Sequence, residues 1–125
     1  MAYDDYLVER VQQYLERKNI DYYNKKMMGG MLFMVDDKMF VGVTKDKKTN
    51  VDKLMVRVGA DFYEKALEKE HSRMMDFTGG PMKGFVFVQP DGFDLDDDLY
   101  FWLDKAMEFN PFAKRSPSKK KKPKK

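Results

Sequence analysis

Few side chains in this sequence are equipped for bond-making chemistry. His71 is its only histidine, and Ser72 its only serine before residue 116. Both sit in the run Lys69-Glu-His-Ser-Arg73, near the expected end of a helix, where a partly positive imidazole is favourable without any catalytic role. A nucleophilic triad would need a base and an orienting acid around the serine, and the sequence marks out no such set. Gly79 and Gly84 have GxxxxG spacing. Phe85-Val86 follow where a phosphate loop needs Lys-Ser/Thr, and a strand is expected where that loop needs a helix. The acidic run Asp94-Leu-Asp-Asp-Asp98 lacks the glycine and the closing glutamate of a calcium loop. It reads better as the charged first turn of a helix.

Methionine is the one soft donor in quantity. Of the 11 methionines, Met27, Met28, Met31, Met34 and Met39 crowd one region, and Met74, Met75 and Met82 another. Thioethers suit Cu(I), but they are also the adaptable filler of cores and interaction surfaces. With no cysteine and one histidine to assist, filler is the reading adopted, and no metal or other cofactor is expected. The absence of cysteine also excludes disulfides and thiol chemistry.

Charge divides the chain in two. The net charge is +3, yet eight cations stand near the C-terminus: Lys114, Arg115, Lys119, Lys120, Lys121, Lys122, Lys124 and Lys125. Without them, 16 basic residues face 21 acidic ones, a body of about −5. Residues 1–112 are read as one folded domain and 113–125 as a disordered basic tail. Those eight cations are candidate contacts for phosphate backbones through counterion release. Lacking interleaved aromatics, the tail offers weak, salt-sensitive binding with no base readout. No run approaches the ~20 apolar residues of a membrane helix, and the acidic start has no signal-peptide character. A cytoplasmic protein is expected.

The elements that would position these residues follow from periodicity. Asp4 is expected to cap a helix to about Lys18 with Leu7, Val8, Val11 and Leu15 on one stripe. A strand over 20–27 leads into Gly29-Gly30, which let the backbone turn or bulge. Strands over 31–35 and 39–43 form a hairpin at Asp36-Asp37, and 54–58 is a further strand. Asp61 with Glu64 forms a capping box for a second helix, followed by strands over 73–78 and 84–88. Asp94 caps a third helix with Leu95, Leu99, Trp102, Leu103 and Ala106 buried, ending before Pro111. Met31, Leu32, Phe33, Met34 and Val35 are apolar on both faces of their strand, which demands cover on both sides. They are the candidate interface, for a protein partner or for a homodimer covering the bare face.

Three segments carry a family resemblance: Lys25-Lys-Met-Met-Gly-Gly-Met-Leu-Phe-Met-Val35, Leu54-Met-Val-Arg-Val-Gly59 and Met75-Asp-Phe-Thr-Gly-Gly-Pro-Met-Lys-Gly84. In this order they resemble the N-terminal domain of the TfoX/Sxy family, over roughly residues 3 to 110. Met28 stands where that family usually has phenylalanine, Asp37 where a turn glycine is common, and Gly80 where the residue is often basic. The resemblance implies an α+β, two-layer α-β(3)-α-β(2)-α fold with an antiparallel sheet, similar to secretion-chaperone-like proteins. It also implies a non-catalytic regulatory or protein-interaction module, whose partner belongs to the transcription machinery. In fuller-length relatives a second domain follows, and the pair helps a cyclic-AMP receptor protein at competence promoters. No second domain is expected after this one, so the competence role does not come with the resemblance. The alternatives are a nonspecific nucleic-acid-associated protein acting through its tail and, third, a small-molecule binder.

Overall fold

The first helix, α1 (Asp5–Arg17), starts where Asp4 leaves helical geometry (φ −91°, ψ 116°) and its carboxylate accepts the Tyr6 backbone N–H at 3.1 Å. That bond satisfies one of the amides a helix start leaves unpaired. The computed structural model describes residues 3–27, 29–46, 48–76 and 81–113. After α1 come β1 (Tyr23–Met27), β2 (Gly30–Val35), β3 (Lys38–Lys45) and β4 (Asp52–Arg57). Helix α2 (Ala60–Glu68), strands β5 (Ser72–Asp76) and β6 (Pro81–Val88), and helix α3 (Asp96–Phe109) complete the order. The strands form one antiparallel sheet in the order β1-β2-β3-β4-β6-β5. The class is α+β, as expected. The sheet has one strand more than the family resemblance implied, because the segment ahead of Gly29-Gly30 is a full edge strand.

The β2–β3 turn shows why aspartate suffices there. Asp36 (φ 54°) and Asp37 (φ 65°) both take left-handed angles, as the primed two-residue turns of twisted hairpins require. The pairing then slips between Phe33↔Val41 and Met34↔Met39. The extra residue, Phe40, joins Val41 in the helix-side core, so a bulge lets two consecutive large residues be buried on the same side.

Helix boundaries depart from the sequence reading twice. The N-cap of α2 is Gly59 at φ 86°, without a side-chain cap bond, so the expected Asp61–Glu64 capping box does not form. Gly59 is required because the Phe109 ring occupies the place of a Cβ, and only glycine accepts that angle and that approach together. The cap of α3 is Leu95 rather than Asp94, again without a side-chain bond. Leu95 is 65% exposed: expected in the buried stripe, it precedes the helix and so falls off its periodicity. The Asp94 carbonyl and the Asp96 carboxylate both accept from Arg10 at 3.1 Å, tying α3 to α1.

All three helices pack on one face of the sheet. Their buried residues share a single core with Phe33, Val35, Phe40, Val41, Val43, Leu54, Val56, Val86 and Val88. The far end of α3 is pinned by buried polar groups. Lys38 Nζ donates to the Asn110 carbonyl at 3.1 Å, and Asn110 Nδ2 donates to the Val35 carbonyl at 3.2 Å. The first bond satisfies a carbonyl at the end of α3, and the second ties that end to the end of β2. Ala113, grouped with the tail by the sequence reading, is also buried.

Candidate functional site

Side chains alternate across a strand, so every residue between two core positions points to the opposite face of the sheet. Cross-strand pairs place Tyr23 beside Met34, Lys25 beside Leu32, Gly42 between Leu32 and Met55, and Phe87 beside Met55. Arg57 stands opposite Phe85, and Arg73 opposite Phe87. On this face Leu32, Met34 and Met55 form a second apolar cluster, with Met39, Phe85 and Phe87 packed against it. Every member of that cluster comes from a strand, none from a helix.

Burial there has a local cause. A Cβ on Gly42 would lie 2.7 Å from Met55 Cε and 2.8 Å from Leu32 Cδ2. The two side chains therefore close over bare backbone from either side. Leu32 and Met55 are each 6% exposed and Met34 2%, although no described helix covers them.

The expected interface residues are accordingly divided between the two faces. Phe33 and Val35 belong to the helix-side core, and Met31 packs against it. Leu32 and Met34 belong to the second cluster and are buried in it. What remains accessible on this face is its aromatic and cationic part. Phe85 and Phe87 are half-buried. Lys53 Nζ lies 4.0 Å from the centroid of the Phe87 ring, and the Arg57 guanidinium 5.3 Å from that of Phe85 and 5.8 Å from Phe109. Cations at such distances are held by the ring quadrupole. Arg57 also donates to the Met39 carbonyl at 3.4 Å. Burial pulls the Arg57 pKa below its usual value, yet neither Arg57 nor Lys53 forms an ion pair with a carboxylate among the described residues.

Sequence reasoning missed Lys53, Arg57, Phe85 and Phe87. The signal was present: Lys53, Met55 and Arg57 alternate with Leu54, Val56 and Val58, and Phe85 and Phe87 alternate with Val86 and Val88. In β6, where apolar alternates with apolar, which set faces the helices is not written in the sequence.

The other candidates are not brought together. Ser72 is buried, its hydroxyl donating to the Ala66 and Lys69 carbonyls, so it bridges the end of α2 to β5. His71 lines a cleft of about 460 Å³ with Lys69, Asp97, Asp98 and Trp102. Among the described residues, no three His, Cys, Asp or Glu side chains are grouped to hold a metal ion. Met31 packs on the helix side, apart from Met34 and Met39, which lie together in the apolar cluster on the other face. The tail cations from Lys114 to Lys125, with Met28, Gly79 and Gly80, lie outside the described residues. No described helix is long and apolar enough to cross a membrane.

Comparison with known proteins gives one family. The model of the TfoX N-terminal domain matches residues 15–110, more than half of the chain and every strand of the described sheet. No curated protein matches it.

Proposed function

We propose, from the premise that this chain belongs to the TfoX N-terminal domain family, that it is a non-catalytic regulatory module. It works by docking a macromolecular partner, of the kind found in transcription complexes, on the helix-free face of its sheet. One observation carries this reading. That face combines half-buried rings with the cations Lys53 and Arg57, which have no carboxylate partner among the described residues. A partly buried charge is normally paired, so a counter-charge from a partner is the simplest completion. The engagement of Ser72 by backbone carbonyls favours binding over turnover for this chain.

A photo-reactive residue placed at Phe87 in the native cell tests the docking face, with one at the exposed Glu9 of α1 as control. Adducts forming at Phe87 and not at Glu9 support it. Adducts at Glu9 alone would move the docking surface to the helix layer.

A further inference from the structure

We propose that the ligand of the helix-free face is single-stranded nucleic acid, bases stacking on Phe85 and Phe87 and phosphates meeting Lys53 and Arg57. This rests on the reading that the helix-free face is the docking face, and it names the chemistry docked there.

Four observations carry it. First, Phe85 and Phe87 are two residues apart on one strand with their rings on one face, so their attachment points are ~7 Å apart. That distance suits successive bases of an extended strand, and base–aromatic stacking tolerates any base. Second, each ring has its own cation. Lys53 stands over the Phe87 ring, 4.0 Å from its centroid, and Arg57 over that of Phe85 at 5.3 Å, so a base stacking there would take the cation's place on the ring and release it to meet the phosphate.

Third, the local charge balance is one-sided. Lys83 is exposed two residues before Phe85. Arg73 stands opposite Phe87, its guanidinium turned back to the Glu70 and Ser72 carbonyls. Asp46 in the β3–β4 loop feels the field of Lys53, although its pKa is lowered chiefly by the Lys48 backbone amide, and Asp52 beside Lys53 is paired with Lys45 at 2.7 Å. Asp46 makes no ion pair with Lys53. In the β2–β3 turn Asp37 accepts the hydroxyl of Tyr23 on the edge strand β1 at 2.6 Å, and β2, β3 and β4 lie between that strand and the one carrying the rings. The body of the protein is acidic, which makes a cationic aromatic patch on it a local feature rather than an overflow of positive charge.

Fourth, the sequence Lys83-Gly-Phe-Val-Phe-Val88 has the basic–glycine–aromatic–x–aromatic–valine order of the strand that carries stacking rings in sheet-borne RNA-binding domains. It differs at Val86, where those domains have a small residue, and Val86 is fully buried on the helix side, away from the rings. It differs again at Pro90, which begins a turn.

An acidic peptide would satisfy the cations equally well. It is the less favoured occupant because Leu32 and Met55 are already closed over Gly42 and, with Met34, are buried, leaving little apolar surface for a partner's side chains. Flat rings remain, and flat rings suit bases.

The test is fluorescence anisotropy on the full chain with a labelled 12-residue oligothymidylate, its ribo-uridylate counterpart and a duplex of equal length. Circular dichroism melts check each variant. The tail will hold all three probes to some degree, so the informative quantity is the difference between single strand and duplex. Wild type should prefer the single strands. The double variant Phe85→Leu with Phe87→Leu keeps the face apolar, should weaken single-strand binding about tenfold or more, and should leave duplex binding unchanged. Should that variant fail to fold, Lys53→Gln with Arg57→Gln gives a second reading. Two fewer phosphate contacts should make the slope of log K against log salt shallower by about 1.4. Single-strand affinity unchanged in the folded variants would overturn the proposal and leave the tail as the whole binding element. So would an acidic amphipathic peptide that binds the same rings while the oligonucleotide does not. A protein adduct at Phe87 without oligonucleotide binding would remove this ligand and keep the docking face, so the two readings fail separately.

Discussion

The two faces of the sheet bury apolar side chains by different means. On one, Phe33, Phe40, Val41, Leu54 and Val86 are closed off by three helices, and each is at most 1% exposed. On the other, Leu32, Met34 and Met55 reach 2–6% exposure with no described helix above them. Leu32 and Met55 close over the gap left by Gly42, and the cluster takes its remaining cover from Met39 and the two phenylalanines. A strand that is apolar on both sides therefore need not expose a large patch when a glycine lets its neighbours sink to the backbone. The difference also separates stability from binding. The covered face holds the fold together, while the self-covered one keeps rings and cations at its surface.

The largest expected effect probes the covered face. Phe33→Ala should cost about 3–5 kcal/mol by urea unfolding, since a cavity there cannot collapse against solvent. Met55→Ala on the other face should cost about 2 kcal/mol, at the low end for such truncations. Equal losses would erase the distinction between a structural face and a binding face.

Glycine substitutions sharpen it next. Gly42→Ala should cost about 1–3 kcal/mol through overpacking against Met55 and Leu32, and should raise the exposure of both, read as increased binding of a hydrophobic dye. Gly29 has open space around it but φ +76°, so Gly29→Ala should cost only about 1–2 kcal/mol, from the backbone angle alone. A Gly42 variant as mild as the Gly29 one would mean the cluster does not depend on that gap.

A smaller effect tests the ties among the helices on the covered face. The Tyr14 hydroxyl donates to the Asp104 carboxylate at 2.5 Å, and Tyr14→Phe should cost about 0.5–1.5 kcal/mol at neutral pH. Burial first, and the Asp104 hydrogen bond second, raise the Tyr14 pKa from its ordinary 10.0. The sign follows from proton counting: above pH 10.0 the unfolded chain releases this proton while the folded chain keeps it. Stability should therefore be level below that pH and fall as pH rises beyond it. In the phenylalanine variant the fall should be shallower, and identical alkaline profiles would show that Tyr14 is not the group responsible.

The smallest effect is an absence. Because the second cluster is closed upon itself, the chain alone should sediment as a monomer at tens of micromolar, rather than as the homodimer expected if the strand were bare. A dimer disrupted by Phe87→Glu would show that the helix-free face has enough apolar surface to pair with a second copy.

Much of this was legible in the residues. The Asp4 cap, the stripe of α1, the Asp36-Asp37 turn and the end of α3 before Pro111 depend on contacts within a few positions, so local rules locate them. The caps of α2 and α3 were not legible. Asp61-x-x-Glu64 satisfies the capping rule, yet the Phe109 ring packs on Gly59 and starts α2 earlier. Phe109 lies 50 positions away, beyond the reach of any local pattern. The candidate site was half visible. Lys53, Met55, Arg57, Phe85 and Phe87 stand at period two, but their meeting depends on β6 lying beside β4 rather than after β5.

By itself the sequence determined the class of fold, the acidic body and basic tail, and the strands and helices whose periodicity is short-range. Tertiary structure alone decided which side of each apolar strand meets the helices, because alternation defines two faces and leaves both hydrophobic. It also decided that Leu32, Met34 and Met55 are buried without a covering layer. For Leu32 and Met55 that outcome requires three strands to meet at the one position, Gly42, where no side chain stands in the way.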